Sequence, residues 1–180
     1  MAQYISLLRG INVGGNRKIK MADLKALYTS LNCTEVTTYI QSGNVIFNTN
    51  INDQAKIKML IEKAIAQQFG FNVVVDIRTT AEFTQAFKAL PFTDINIDED
   101  GSKVLISFLS QQPKDENIAQ LLAVVKAPEQ LIVVNDCAYI YYANGCGRSK
   151  LTNVVIEKKL AVNATARNIK TVAKLIALAQ

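Results

Sequence analysis

The chain has 180 residues, of which 49% are hydrophobic and 19% are charged, and its formal net charge is +5. A chain of this length buries roughly 70% of its unfolded surface, so it needs neither a disulfide nor a metal to fold. It contains no histidine, which excludes Ser-His-Asp and Cys-His nucleophiles, histidine general bases and zincin-type metal sites.

The first half of the sequence predicts the element order β-α-β-β-α-β. Strand patterns occupy residues 3–8, 35–41, 44–47 and 72–78. Apolar residues at helical spacing predict one helix over 21–32 and a second that begins at Asn52 or Asp53 and ends at Gly70. This is the order of a ferredoxin-like split βαβ sandwich, so we expect a ferredoxin-like domain over residues 1–78.

The second half predicts the order β-α-β-β-α-α after a short helix. The capping box Thr79-x-x-Glu82 begins that helix and Pro91 ends it. Strands are predicted over 103–109, 131–134 and 137–142, and helices over 113–125, 150–160 and 171–179. The second half thus has the same predicted order as the first, except that its last element is a helix where the first half has a strand. We expect an α+β protein with antiparallel sheets, whose second α+β domain covers 79–180 and packs on the first.

Two polar, glycine-containing loops are predicted to meet at one end of the first sheet. In the order β-α-β-β-α-β the first two strands are parallel, because a right-handed crossover joins them. Loop 9–20 follows the first strand and the turn 41–44 follows the second. Both loops therefore leave from the same edge of the sheet.

Loop 9–20 combines three glycines with four basic residues. Glycines allow positive φ and close backbone approach, and backbone amides beside Arg and Lys bind phosphate or carboxylate groups. The loop has neither a Walker A nor a dinucleotide-binding pattern. Residues 145–150 form a second glycine-rich, basic lead into a helix. The alternative for both segments is an ordinary solvated loop with turn glycines.

The positive charge is concentrated at the two ends of the chain. Residues 1–20 carry +4, residues 145–180 carry +6, and the middle carries −5. This distribution predicts either a basic patch that attracts anions or a solvated surface.

The cysteines and the hydropathy pattern indicate a cytoplasmic protein. Cys33, Cys137 and Cys146 are odd in number and form no C-x-x-C pair, which argues against a disulfide framework and against a cysteine zinc site. The apolar runs are too short to span a membrane, and the N-terminus lacks a signal-peptide pattern. We therefore expect no membrane partner and no metal.

Three motifs resemble those of the bacterial domain-of-unknown-function 1697 family (DUF1697). They are Leu7-Leu8-Arg9-Gly10-Ile11-Asn12-Val13-Gly14-Gly15, Tyr39-Ile40-Gln41-Ser42-Gly43-Asn44-Val45, and a C-terminal set with Ser149-Lys150 and Arg167-Asn168. Their order and spacing match over nearly the whole chain. The resemblance implies a two-part α+β protein with a ferredoxin-like half, and it implies no particular activity. Ile169 departs from the family, in which an aromatic residue commonly follows the Arg-Asn pair.

The motif residues are small, polar and basic, which is typical of a site. Those that we predict to contact a ligand are Arg9, Asn12, Gly14, Gly15, Gln41, Ser42, Asn44, Arg148, Lys150, Arg167 and Asn168. The leading hypothesis is a protein that binds an anionic ligand of the phosphate or nucleotide type at loops 9–20 and 41–44. Arg148, Lys150, Arg167 or Asn168 would close over the ligand.

Two alternatives stay open. The first is an enzyme at the same place, with proton transfer by Glu157, Cys146, a tyrosine, a lysine or a bound metal. The second is a nucleic-acid or protein interaction module that uses the basic face. The strand Asn44-Val45-Ile46-Phe47-Asn48 lacks the aromatic signature of an RNA-recognition module, so nucleic acid is not favoured. The sequence indicates no cofactor.

Overall fold

The computed structural model describes all 180 residues. It contains eight strands, seven α-helices and one 3-10 helix (Cys146–Arg148). The strands and α-helices are β1 (Ala2–Leu8), α1 (Met21–Ser30), β2 (Thr34–Tyr39), β3 (Asn44–Thr49), α2 (Gln54–Phe69), β4 (Val75–Thr79), α3 (Thr80–Lys88), α4 (Ile97–Asp100), β5 (Val104–Leu109), α5 (Asp115–Leu122), β6 (Gln130–Val134), β7 (Cys137–Tyr141), α6 (Asn153–Leu160), β8 (Ala164–Asn168) and α7 (Ile169–Leu178). None of these helices combines the length and the apolar character needed to cross a membrane.

The chain divides into two compact units. The first comprises residues Met1–Thr84 with Leu175–Gln180, and the second comprises Gln85–Lys174. Each unit has one four-stranded antiparallel sheet, in the order β2-β3-β1-β4 for the first and β6-β7-β5-β8 for the second. The predicted α+β class with antiparallel sheets is confirmed. The domain boundary after residue 78 stays a prediction.

The core of the first unit lies between its sheet and helices α1 and α2. Leu24, Leu27 and Tyr28 of α1 and the isoleucines of α2 pack on one face of the strands. Inside this core, the hydroxyls of Ser6 and Tyr28 are hydrogen-bonded at 2.7 Å. The predicted elements of this half are all present, with ends that differ by one to three residues.

Local capping signals in the sequence are also observed. Asp53 accepts hydrogen bonds from the amides of Ala55 and Lys56 at the start of α2, and Gly70 ends that helix with φ of 79°. The capping box at α3 is reciprocal. Glu82 donates its amide to the Thr79 hydroxyl at 3.1 Å, and its carboxylate accepts from the Thr79 amide at 2.8 Å. Such bonds satisfy the amides that a helix start leaves unpaired.

The prediction that a helix replaces the last strand of the second half is wrong. Residues Ala164–Asn168 form β8, which pairs along its whole length with β5. Its sequence, Ala-Thr-Ala-Arg-Asn, contains one β-branched residue and no large apolar or aromatic residue, so its strand pattern is weak. Pairing with a neighbouring strand overrides local propensity at such a segment.

With β8 in place, the two units have the same β-α-β-β-α-β order and the same strand arrangement. The amide of Leu8 donates to the carbonyl of Gly43, and the amide of Leu109 donates to that of Asp136. These two bonds align β1 with β5 and place Ser107 at the position of Ser6. The duplication is therefore visible in hydrogen bonds although the sequence shows no repeat.

A second pair of contacts supports the duplication. The carboxylate of Glu62 in α2 accepts from the amide of Val75, the first residue of β4, at 2.9 Å. The carboxylate of Glu157 in α6 accepts from the amide of Ala164, the first residue of β8, at 2.8 Å. In each unit, a glutamate of the second crossover helix thus fixes the start of the fourth strand.

Buried weak acids predict that the protein loses stability in alkaline solution. Burial raises the pKa of Cys33 to about 11, above its ordinary value of 9.0. Above about pH 9 the unfolded chain therefore releases a proton that the folded chain keeps, so stability falls as the pH rises from about 9 to about 11. For this thiol the expected slope is about 1 kcal/mol per pH unit at most.

The measurement is urea unfolding, followed by circular dichroism, between about pH 8 and about pH 11. Cys33→Ala is expected to reduce the slope with which the free energy of unfolding falls between about pH 9 and about pH 11. Cys146→Ala is the matched control, because Cys146 is exposed, and it should leave the slope unchanged. Equal slopes for Cys33→Ala and the parent protein would contradict the claim that the Cys33 thiol contributes to the alkaline loss of stability.

Candidate functional site

Loop 9–20 folds as a short hairpin at the end of β1. The amide of Asn12 donates to the carbonyl of Arg17 at 3.1 Å, and the amide of Asn16 donates to that of Val13 at 3.0 Å. Gly14 and Gly15 form the tip with φ of 57° and 77°. Two successive positive φ values are the requirement of a type I′ turn, which explains glycine at both positions.

Asn12 connects this hairpin to the turn after β2. Its side-chain nitrogen donates to the carbonyl of Gln41 at 2.8 Å and to that of Ile19 at 2.9 Å, while its side-chain oxygen accepts from the amide of Ile19 at 2.9 Å. The prediction that loop 9–20 and turn 41–44 meet is thus confirmed. Asn12 uses both of its side-chain polar atoms for this purpose, so its role is to position the loop.

Asn44 and Gly43 hold the turn itself. Asn44 is fully buried and donates to the carbonyl of Tyr39 at 2.8 Å and to the Ser42 hydroxyl at 3.1 Å. A Cβ on Gly43 would come within 2.9 Å of the Leu8 Cβ, so the close packing of the turn against β1 requires glycine. Part of the second motif therefore builds the turn.

The basic residues at the start and end of the hairpin line a cavity of about 470 Å³. Arg9 and Arg17 come from the loop, Lys63 comes from α2, and Asn72 comes from the connection that leads into β4. The guanidinium of Arg17 folds back over the start of the loop, with Nη1 3.8 Å from where a Gly10 Cβ would lie. We call this space the Arg9 cavity.

The charge balance in the Arg9 cavity is positive. Three cations line it, and Glu62 is its one carboxylate. Glu62 accepts the hydrogen bond from Val75 and lies 3.8 Å from the ammonium of Lys58. Its charge is therefore partly compensated from outside the cavity, so the three cations favour an anionic ligand.

The loop also borders a second cavity, of about 520 Å³. Gln41 and the predicted loop residues Asn12 and Gly15 line it, together with Lys18 and Lys20. Asp23 from the first turn of α1 also faces this space. Its two cations are opposed by a carboxylate, so it is the weaker candidate for an anion.

Lys63 and Asn72 were not predicted as site residues from the sequence, in which they are ordinary surface residues of a helix and a loop. The strand order of the sheet would have indicated the position of Asn72. β1 and β4 are antiparallel neighbours, with Leu8 opposite Val75. The end of β1 must therefore lie beside the start of β4, and the residues just before β4 must lie beside loop 9–20.

The remaining predicted residues belong to the second unit. Arg148 and Lys150 are exposed and line a cavity of about 490 Å³ in that unit. The Asn168 side chain accepts from the amide of Thr171 at 2.9 Å and so caps α7. Arg167 donates to the carbonyl of Ala166 at 2.9 Å. Their participation in one site with Arg9 stays a prediction.

Among the candidates for proton transfer, Glu157 has a structural role and the buried tyrosines have raised pKa values, whereas Cys146 is an exposed thiol. Glu157 fixes the start of β8. Burial raises the pKa of Tyr142 to about 12, and it also raises those of Tyr28 and Tyr139. The chain has no cluster of three or more His, Cys, Asp or Glu side chains that could hold a metal ion.

The fold and the site together define a class: an α+β protein of two topologically equivalent units, in which the first unit has a cationic hairpin loop. The sequence matches, over residues 1–139, the family described as "Protein of unknown function (DUF1697)". The chain belongs to this family, which confirms the resemblance. The matched residues include the first two motifs, whereas the C-terminal motif with Ser149-Lys150 and Arg167-Asn168 lies outside them.

A solved structure has the same fold. It is described as "the structure of conserved bacterial protein SP0830 from Streptococcus pneumoniae". The two chains are 24% identical, the similarity covers 99% of each, and the TM-score is 0.70. A comparison with curated proteins finds no match.

Proposed function

We propose that this protein binds a small phosphate-type or nucleotide-type anion in the Arg9 cavity. The observation that carries the proposal is the convergence of Arg9, Arg17 and Lys63 on one space of about 470 Å³. Such a volume lies within the range of small-molecule sites. The planar guanidinium groups can each donate two parallel hydrogen bonds to the oxygens of a phosphate.

The duplicated fold supplies an internal comparison. The connection between β1 and α1 has twelve residues, 9–20, whereas the equivalent connection between β5 and α5 has five, 110–114. The scaffold therefore forms without the long basic loop. Extra loops on a rigid scaffold are where proteins commonly place binding residues.

The first residue of the two connections shows the same difference. The amides of Arg9 and Ser110 make equivalent hydrogen bonds, to the carbonyls of Val74 and Asn163 respectively, both at 2.9 Å. The backbone position is identical, yet one unit has a cation there and the other has a hydroxyl. The guanidinium of Arg9 is thus not required by the strand ending, which supports a ligand role.

The test is a thermal-shift and calorimetric titration with inorganic phosphate, pyrophosphate and nucleoside mono-, di- and triphosphates at millimolar levels. A ligand at about 100 times its Kd stabilises the folded state by roughly 2.7 kcal/mol. We expect at least one of these anions to raise Tm. The double substitution Arg17→Ala and Lys63→Ala should weaken its binding by about tenfold or more.

The control is Lys56→Ala, which removes an exposed charge from the same helix, α2, outside the cavity. It should change affinity by less than about twofold, since surface charges act weakly at physiological salt. No stabilisation by any anion, or equal losses for the cavity variants and the control, would overturn the proposal. Binding confined to oligonucleotides with a steep salt dependence would favour the interaction-module alternative.

A further inference from the structure

The second unit contains a cavity of about 490 Å³ beside the connection between β7 and α6. Three cations, Lys126, Arg148 and Lys150, line it, and so do the apolar side chains of Val124, Leu151 and Val155. Glu129 is the one carboxylate on its wall. The cavity is therefore positive in one part and apolar in another.

The apolar part is an extension of the core of this unit. Leu151 is only 4% exposed and belongs to the core cluster, and Val155 packs against that cluster. An apolar group of a ligand would bury further apolar surface against this wall, which favours binding. Inorganic phosphate would use the cations and leave this wall unused.

The segment that presents Arg148 and Lys150 is fixed by its own hydrogen bonds. The Tyr142 hydroxyl donates to the carbonyl of Leu151 at 2.8 Å, and the Ser149 hydroxyl accepts from the Leu151 amide at 2.9 Å. Both bonds end on Leu151, so they fix the backbone that directly follows the two cations. A site with fixed groups loses less entropy when it binds a ligand.

This connection is also a departure from the duplicated fold. It has eleven residues, 142–152, whereas the equivalent connection between β3 and α2 has four, 50–53. Each unit thus has one long, basic, glycine-containing connection, and the two occur at different places in the repeat. The shorter equivalent shows that the scaffold does not need residues 145–150.

We propose that this cavity binds a small organic carboxylate or sulfonate with an apolar acyl or aryl body. The anionic group would contact Arg148 and Lys150, and the apolar body would lie against Leu151 and Val155. The inference is independent of the anion site on loop 9–20, because no residue lines both cavities.

The probe is 8-anilinonaphthalene-1-sulfonate, which has an aromatic body and one sulfonate. We expect saturable, blue-shifted fluorescence with the folded full-length chain, and displacement by decanoate but not by inorganic phosphate. The double substitution Arg148→Ala and Lys150→Ala should weaken probe binding by about tenfold, the effect of losing one or two charged hydrogen bonds. Val155→Asp, which places a carboxylate on the apolar wall, should weaken it at least as much.

Two control variants separate this site from other sources of probe fluorescence. Lys158→Ala removes an exposed charge of α6 outside the cavity, and Arg17→Ala with Lys63→Ala removes cations of the Arg9 cavity. Both should bind the probe as the parent does. Unchanged binding in the Arg148→Ala, Lys150→Ala variant would overturn the proposal. So would displacement by phosphate, no displacement by decanoate, or loss of probe binding in the Arg9-cavity variant.

Discussion

Replacing Gly43 by alanine is expected to lower the free energy of unfolding by about 2–4 kcal/mol. Two costs combine at this position. The backbone has φ of 81°, which strains any residue with a Cβ, and that Cβ would lie 2.6 Å from Cδ1 of Ile11 and 2.9 Å from Cβ of Leu8. The isoleucine methyl can rotate away, but the Leu8 Cβ is fixed to a central strand. Urea unfolding followed by far-ultraviolet circular dichroism measures the effect.

Gly14→Ala is the matched control for this substitution. Gly14 also has positive φ, 57°, but no atom outside its chain neighbours lies within 4 Å of the position of its Cβ. Its cost should therefore be conformational strain alone, about 1 kcal/mol. If the two alanine variants were equally stable, close packing of turn 41–44 against β1 would not be the reason for glycine at 43.

Replacing Asn12 by alanine is expected to lower the free energy of unfolding by about 2–3 kcal/mol and to weaken binding in the Arg9 cavity. The substitution removes three hydrogen bonds of 2.8–2.9 Å to Ile19 and Gln41. It also places alanine at φ of 55°, a value that asparagine tolerates better. The loop would then lose its fixed connection to turn 41–44, and the Arg17 side chain would occupy a wider range of positions.

Unfolding and anion titration of the same variant test the two parts of this prediction. Asn16→Ala is the control, because Asn16 is exposed in the same hairpin and makes its hydrogen bond to Val13 through the backbone. If Asn12→Ala destabilised the protein no more than Asn16→Ala, the structural role of Asn12 would be wrong. If Asn12→Ala kept the parent's anion affinity, loop 9–20 would not need this connection for binding.

Sequence patterns located the local features of the fold well. Asp53, Gly70 and the Thr79-Glu82 capping box mark helix ends, where a few adjacent residues decide the backbone conformation. Strand β8 was not visible, because Ala164–Asn168 owes its extended form to pairing with β5. The predicted element order was otherwise the same in the two halves, so the pairing of β8 with β5 is what completes the duplication, which residue identities do not show.

The predicted site residues differ in what the sequence could say about them. Chain order placed the Asn12 loop beside the Gln41 turn, since parallel strands joined by a crossover end at the same edge of a sheet. The sequence did not separate residues that build the turn, such as Gly43 and Asn44, from residues that face a cavity, such as Arg9. Both groups are small or polar, and only their contacts distinguish them.

The sequence by itself determined the α+β class, the order of the first six elements, the meeting of two polar loops and the positive charge at both ends of the chain. These properties depend on composition, periodicity and caps, which act over a few residues. The tertiary structure decided that Lys63 joins Arg9 and Arg17, and that Arg148 and Lys150 line a cavity with an apolar wall. Side chains far apart in sequence share a cavity only after strand pairing and helix packing have fixed their positions. The net charge of +5 describes the whole chain, whereas the structure shows that six of its cationic side chains line two cavities, three in each.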